Sequence, residues 1–231
     1  MTKMYGEAMR CIHQGVNPYD GFPVEKWQPD YFGFFDPDND GGKMMLETLE
    51  RWRPTLYLEV GSYLGKSARW AAQWMKDHEI DGCVVSTDTW LHEYILWTIP
   101  EHRDHMKLIN GKPHSYEVFM RTVLDAGLQD YICPLPMDSR GAMRYLIALK
   151  FKFQVIYIDG SHEKGDVWAD LFLAWHLLQP GGALIVDDYN FSSPMFTGLI
   201  EDVDAFVAQN KLSMEVRGLK ARIIGPAVEA K

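Results

Sequence analysis

The stretch Leu56-Tyr-Leu-Glu-Val-Gly-Ser-Tyr-Leu-Gly-Lys-Ser67 decides how this chain is read. Leu56–Val60 is a short apolar run bounded by glycine and predicts a buried strand. A helix is predicted from about Lys66 to Met75. The same alternation recurs downstream. Strands are predicted over Gly82–Thr87, Tyr131–Leu135, Gln154–Ile158 and Ala183–Val186, with helices near Ser115–Ala126 and Arg140–Leu149. A further helix carries apolar residues at 167, 171, 174, 175 and 178, a one-sided stripe ended by Pro180-Gly181-Gly182. A last helix, about Met195–Gln209, and two C-terminal strands complete the series. Strands alternating with helices of 10–15 residues predict an α/β fold, a doubly wound, mostly parallel seven-stranded sheet with helices on both faces.

Upstream, residues 1–42 are rich in aromatic residues, Pro, Gly and Asp without a period of 2 or 3.6, and read as an irregular N-terminal arm. The domain proper is expected over 43–231, opening with a short helix from Lys43 to Arg51 or Trp52 that stops before Pro54. The polar segment 90–113 interrupts the alternation and reads as a lid-like insertion.

Composition narrows the function classes. The 231 residues hold 23 Lys+Arg against 32 Asp+Glu, a formal net charge of −9, with 47% hydrophobic and 24% charged residues. That is globular usage, and the acidic balance disfavours nucleic acid or an anionic membrane as partner. The cysteines Cys11, Cys83 and Cys133 form no C-x-x-C pair and read as reduced thiols. With no signal-peptide h-region and no run near 20 apolar residues, the expected location is the cytoplasm. A homodimer is compatible with the sequence.

In such sheets ligands bind at the carboxyl ends of the strands. The residues there are Glu59/Gly61, Asp88, Asp138/Ser139, Asp159/His162 and Asp187/Asp188, so carboxylates end nearly every strand. The turn after strand 1 admits three readings. A phosphate loop needs G-x-x-x-x-G-K-[ST], and Gly61 to Gly65 is one residue short. A dinucleotide fingerprint needs glycine where Tyr63 stands. The third pattern, E-x-G-x-x-x-G followed by a small hydroxyl residue, suits a ligand carrying an ammonium group and hydroxyls.

Glu59-Val-Gly-Ser-Tyr-Leu-Gly-Lys-Ser67 resembles the first motif of class I S-adenosylmethionine-dependent methyltransferases, in particular the catechol O-methyltransferase-like branch. Asp88-Thr-Trp90 and Met137-Asp-Ser139 resemble that family's ribose and adenine motifs. Ile158-Asp-Gly-Ser-His162, Leu178-Gln-Pro-Gly-Gly182 and Val186-Asp-Asp-Tyr189 resemble later motifs of the macrocin O-methyltransferase-like group. The resemblance spans roughly residues 45–225 in order. It implies a Rossmann-like methyltransferase fold that binds S-adenosylmethionine through Glu59, Gly61, Ser62, Tyr63, Ser67, Asp88, Thr89, Trp90, Asp138, Ser139 and Asp159. Glu59 would support the ammonium group, Asp88 would take both ribose hydroxyls, and Trp90 would line the adenine. It also implies Mg²⁺ held by Asp159, Asp187 and Asp188, with Asp159 or His162 as base for methylation of a hydroxyl on a small molecule, a sugar or glycosylated natural product.

Other readings stay open at this point. The runner-up enzyme is a P-loop-like phosphotransferase. Asp36-Pro-Asp-Asn-Asp-Gly41 with Glu47 fits the EF-hand expression and would make a non-catalytic Ca²⁺-responsive module, although the residues before Asp36 do not predict an entering helix. The alternative is that these aspartates form a turn capping the next helix. His92, His102 and His105 lack metal spacing and are expected to face solvent.

Overall fold

The structure, a computed structural model, describes residues 1–191 and 198–227. Seven strands form one sheet: β1 (Leu56–Val60), β2 (Cys83–Asp88), β3 (Ile132–Pro136), β4 (Phe153–Ile158), β5 (Leu178–Val186), β6 (Met214–Arg217) and β7 (Lys220–Ile224). Their order is β3-β2-β1-β4-β5-β7-β6. The first five run parallel, whereas β7 is antiparallel to both β5 and β6. The central strands are mostly apolar and buried, as a sheet covered on both faces requires, with Glu59 the buried exception in β1.

Nine α-helices are present among the described residues, besides a short 3-10 turn at Val24–Lys26: α1 (Lys3–Ile12), α2 (Asp40–Trp52), α3 (Lys66–Asp77), α4 (Tyr94–Thr98), α5 (Pro100–Met106), α6 (Ser115–Asp125), α7 (Ser139–Ala148), α8 (Asp166–Leu177) and α9 (Leu199–Gln209). Helix α3 buries Ala68, Ala71, Ala72, Trp74 and Met75, a 3.6-residue stripe seated against β2 and β3. Helices α2 and α8 both lie against β4 and β5, and α7, α8 and α9 pack side by side.

Three boundaries differ from the sequence reading. The arm is not irregular throughout, because α1 buries Tyr5, Ala8 and Ile12 against β2 and β3. That stripe has helical spacing, but Gly6 interrupts it and the sequence before it offers no strand to pack on. Helix α2 starts three residues before Lys43, since the Asn39 side chain accepts from the Gly42 amide and caps it. Strand β5 begins at Leu178, with the Pro-Gly-Gly run forming an irregularity inside it rather than a loop. Met195 to Thr197, the predicted opening of the last helix, lie outside the described residues.

The turn after β1 is set by close backbone approach. Gly61 has φ +86°, and a Cβ there would sit 1.9 Å from the Asp159 carbonyl oxygen at the end of the neighbouring β4. Gly61→Ala is therefore expected to lower stability by about 2–4 kcal/mol, combining a left-handed backbone with a clash against main chain. Gly15→Ala, with φ +85° but open space around it, should cost only about 1 kcal/mol. Urea unfolding of the two variants checks this; equal losses would show that the close approach at Gly61 carries no energy.

Candidate active site

The carboxyl ends of β1, β2, β4 and β5 open into one cavity of about 610 Å³, a size ordinary for small-molecule sites. One end holds Asp88, Thr89, Asp138, Ser139 and Arg140, the other Asp159, His162, Asp187, Asp188 and Lys220, with Gly61 and Tyr63 between them. The wall is apolar where Phe34, Leu96, Ile99, Phe191 and Leu219 face inward.

Asp88 pins the glycine turn. Its two carboxylate oxygens accept 2.7 Å hydrogen bonds from the amides of Tyr63 and Trp90. Burial raises its carboxyl above the ordinary value, and those amides oppose the shift. The amides of Ser62 and Thr89 act on the carboxylate in the same sense, and Asp88 borders the cavity. Trp90 does not line the cavity, contrary to what the resemblance implies. Its left-handed backbone, φ +53°, turns the indole into the core, where Nε1 donates to the Tyr63 carbonyl and the ring meets Tyr116 and Phe119.

Glu59, Ser62 and Ser67 sit one layer beneath the wall. Ser67 donates to Glu59 Oε1 at 3.0 Å, so its hydroxyl supports Glu59 rather than facing the cavity. Glu59 Oε2 and the neighbouring Ser62 Oγ are buried without a hydrogen bond of normal geometry. Asp138 caps α7 through the Gly141 amide, and Ser139 donates to Asp170. Both still edge the cavity.

At the other end, Asp159, His162 and Asp188 bring one ligand atom each within 4.8 Å of one another. His162 Nε2 lies 3.3 Å from Asp188 Oδ2. Asp159 is held well above the carboxylate range by burial and by the charges of Asp187 and Asp188, with Lys220 opposing them. Asp187, expected as a third carboxylate of this group, borders the same cavity and acts on Asp159, and it also takes Lys220 Nζ at 2.5 Å and a hydrogen bond from the Tyr157 hydroxyl.

The arm and the 90–113 segment meet over the opening. Phe32 stacks on His105 at 3.9 Å, Phe34 on Tyr63, and His105 pairs with Asp30. The three histidines expected in solvent are half-buried instead. His92 contacts Ser115 Oγ, and burial pushes its pKa down to about 4. Residues 36–47 do not form an EF-hand. No helix enters them among the described residues, Asn39 caps α2, and Glu47 pairs with Arg217. Asp36, Asn39 and Gly41 border the cavity instead.

Sequence reasoning missed Lys220, Phe34 and Phe191. Lys220 opens an antiparallel strand whose pairing with β5 is not encoded locally, so nothing in Lys220-Ala-Arg-Ile-Ile224 marks it as facing Asp187. No helix of the described residues is long and apolar enough to cross a membrane.

Comparison with known proteins agrees with this geometry. The sequence model of the methyltransferase-domain family matches residues 58–189, more than half of the chain and the whole span from β1 to the acidic pair. Curated proteins give no match. Among solved structures, an O-methyltransferase from Bacillus cereus in complex with SAH is similar, with 17% identity, TM-score 0.55, and coverage of 97% of this chain and 91% of that one. The O-methyltransferase TomG from Streptomyces achromogenes, in complex with SAM, has 16% identity and TM-score 0.53 over 97% and 91% of the two chains. CalS11, a calicheamicin methyltransferase, has 17% identity and TM-score 0.56 over 80% and 79%. The glycine turn after β1, the acidic end of β2 and the strand order converge with the family match: the chain belongs to the methyltransferase-domain family and is a class I, S-adenosylmethionine-dependent methyltransferase.

Proposed function

We propose that this methyltransferase acts on a hydroxyl of a small molecule, with a divalent cation, Mg²⁺ in the sequence reading, assisting at the acidic end of the cavity. One observation carries the proposal. A single cavity joins Asp88 and the glycine turn at one end to Asp159, His162 and Asp188 at the other. The donor set fits a cation, being two carboxylates and an imidazole with converging ligand atoms. Glu59, buried beneath the turn with the Ser62 and Ser67 hydroxyls as its side-chain partners, keeps acceptor capacity that fits an ammonium group.

When bound, the cofactor supplies an electrophilic methyl on a sulfonium, and the cation an acidified acceptor hydroxyl. The chain's own residues do the rest. Asp88 would take the ribose hydroxyls, and Gly61 would leave the backbone bare toward the methionine portion. Thr89, Asp138 and Ser139 border the adenine end. Asp159 or His162 receives the acceptor's proton. The arm and the 90–113 segment exclude water as a lid. Phe34, Leu96, Ile99, Phe191 and Leu219 offer an apolar wall, so the acceptor is a glycosylated or otherwise apolar-faced natural product rather than a bare sugar. Two similar structures bear names from such chemistry, a calicheamicin methyltransferase and an O-methyltransferase of tomaymycin synthesis.

Two measurements test this reading. Asp88→Asn should weaken S-adenosylhomocysteine binding by about 10²-fold in calorimetry, since charge-assisted hydrogen bonds contribute roughly 1.5–3 kcal/mol each. An unchanged affinity removes Asp88 from the cofactor site. The second concerns Glu59, whose pKa burial pushes up to about 8. The folded protein then binds more protons than the unfolded chain between the ordinary glutamate value and about 8, so stability falls as pH rises through that window. Glu59→Gln should abolish this slope, on the order of 1 kcal/mol per pH unit in urea unfolding of the cofactor-free protein. A wild-type slope identical to that of the variant would mean that Glu59 is ionised throughout.

A further inference from the structure

Behind the Asp138–Ser139 end of the cavity a buried carboxylate holds a hydroxyl. Asp170, on the inner face of α8, is 1% exposed. Its Oδ1 accepts from the Ser139 hydroxyl at 2.6 Å. Its Oδ2 is buried with no hydrogen-bond partner among the described residues, and a Cβ on Gly160 would sit 3.3 Å from it. Ser139 and Gly160 border the cavity, and Asp170 stands behind them. Burial pushes its carboxyl up to about 6, with the Ser139 hydrogen bond opposing the shift. One turn earlier on α8, Asp166 accepts from Ser161 Oγ at 3.0 Å and pairs with Arg140 Nη1 at 3.4 Å. The backbone at Ser139 is fixed as well, because Asp138 caps α7 through the Gly141 amide at 3.0 Å. A carboxylate is costly to bury where two helices pack and an apolar side chain would fill the space. What it gains at this place is command of one hydroxyl.

We infer that Asp170 is a positioning residue: by accepting the Ser139 O–H it leaves that hydroxyl only lone pairs to offer the cavity, so that the site takes an aminopurine in preference to an oxopurine. This rests on the reading that places the adenine at Thr89, Asp138 and Ser139. A serine hydroxyl has one hydrogen to donate and two lone pairs. An ionised carboxylate can only accept, so the hydrogen points to Asp170 and away from the ligand. The exocyclic amino group of adenine donates to the lone pairs that remain. The carbonyl oxygen of hypoxanthine meets them with lone pairs of its own, a repulsive contact that discriminates against it. Asp170 touches no ligand and acts through Ser139, while its Oδ2 rests over the bare face of Gly160.

The test uses the full chain at about pH 8, where Asp170 is ionised, and calorimetry with S-adenosylhomocysteine and with S-inosylhomocysteine, its deaminated analogue. Wild type should bind the adenosyl ligand at least about tenfold more tightly. Asp170→Leu, close in volume and checked by circular dichroism, frees the hydroxyl to donate, and the preference should fall to about twofold or less. Ser139→Ala should lower the preference to the same degree, and the double variant should fall no further. Asp170→Asn, whose amide oxygen still accepts, should keep most of it. If Asp170→Leu does not fold, Ser139→Ala and Asp170→Asn decide: a preference lost in the first and kept in the second supports the inference, and any other pattern overturns it. A merely structural role for Asp170 would weaken both ligands by one factor and leave the preference intact. That result, or a wild type without preference, overturns the inference. Asp88→Asn, measured alongside, keeps the two readings apart. If it leaves S-adenosylhomocysteine binding unchanged, the cofactor placement falls and the inference with it. If it weakens binding while the preference survives Asp170→Leu, only the inference falls.

Discussion

The site depends on one close approach. The glycine turn leaving β1 lies so near the end of β4 that Gly61 faces the Asp159 carbonyl oxygen with no room for a side chain. The contact fixes two loops that are about a hundred residues apart in sequence. It also explains why one cavity serves both, because the turn that would carry the cofactor's methionine portion rests on the residue that begins the acidic end. The Gly61 amide donates to Thr87 and the Asp159 amide to Val60, so the sheet ladder continues into the site. Strand ends held this way keep their positions without a ligand, which is the preorganisation that positioning catalysis requires.

Charge is arranged around that contact with a clear division. Asp88 is bound by backbone amides, Glu59 is buried beneath the turn with serine hydroxyls as partners, and Asp187 is paired with Lys220. Among the described residues, Asp159, His162 and Asp188 bring one ligand atom each within 4.8 Å of one another, with His162 Nε2 3.3 Å from Asp188 Oδ2. A protein with net charge −9 thus concentrates part of its acidity along one sheet edge and then distinguishes its members by their partners. The Tyr157 hydroxyl and the Lys220 ammonium make that distinction within a few ångströms. Apolar residues from the arm, the 90–113 segment and the stretch after β5 close the remaining sides, so what the cavity admits is decided by segments outside the regular sheet.

Much of this was legible in the sequence, for a physical reason. Buried parallel strands must be continuously apolar and must end in turn residues, so Leu56–Val60, Gln154–Ile158 and Ala183–Val186 stand out, with their polar ends in view. Glu59, Gly61, Asp88, Asp159 and Asp188 were found this way, and the structure gathers them at one edge. Helix α1 was not found, since its three buried residues acquire meaning only when β2 and β3 are there to receive them. Trp90 turns into the core, and its positive φ arises in a residue type that gives no local sign of it.

The sequence by itself determined the order of elements, the identity of the family and the list of groups available at the strand ends, because these follow from periodicity and from motif spacing along the chain. Only the tertiary structure decided which of those groups act together. Lys220 reaches Asp187 through an antiparallel pairing that sets Val186 opposite Ala221, and His162 joins Asp159 and Asp188 across two neighbouring strand ends. Side-chain direction at a site of this kind is set by backbone dihedrals and by partners brought from elsewhere in the chain, and neither is written in the local run of residues.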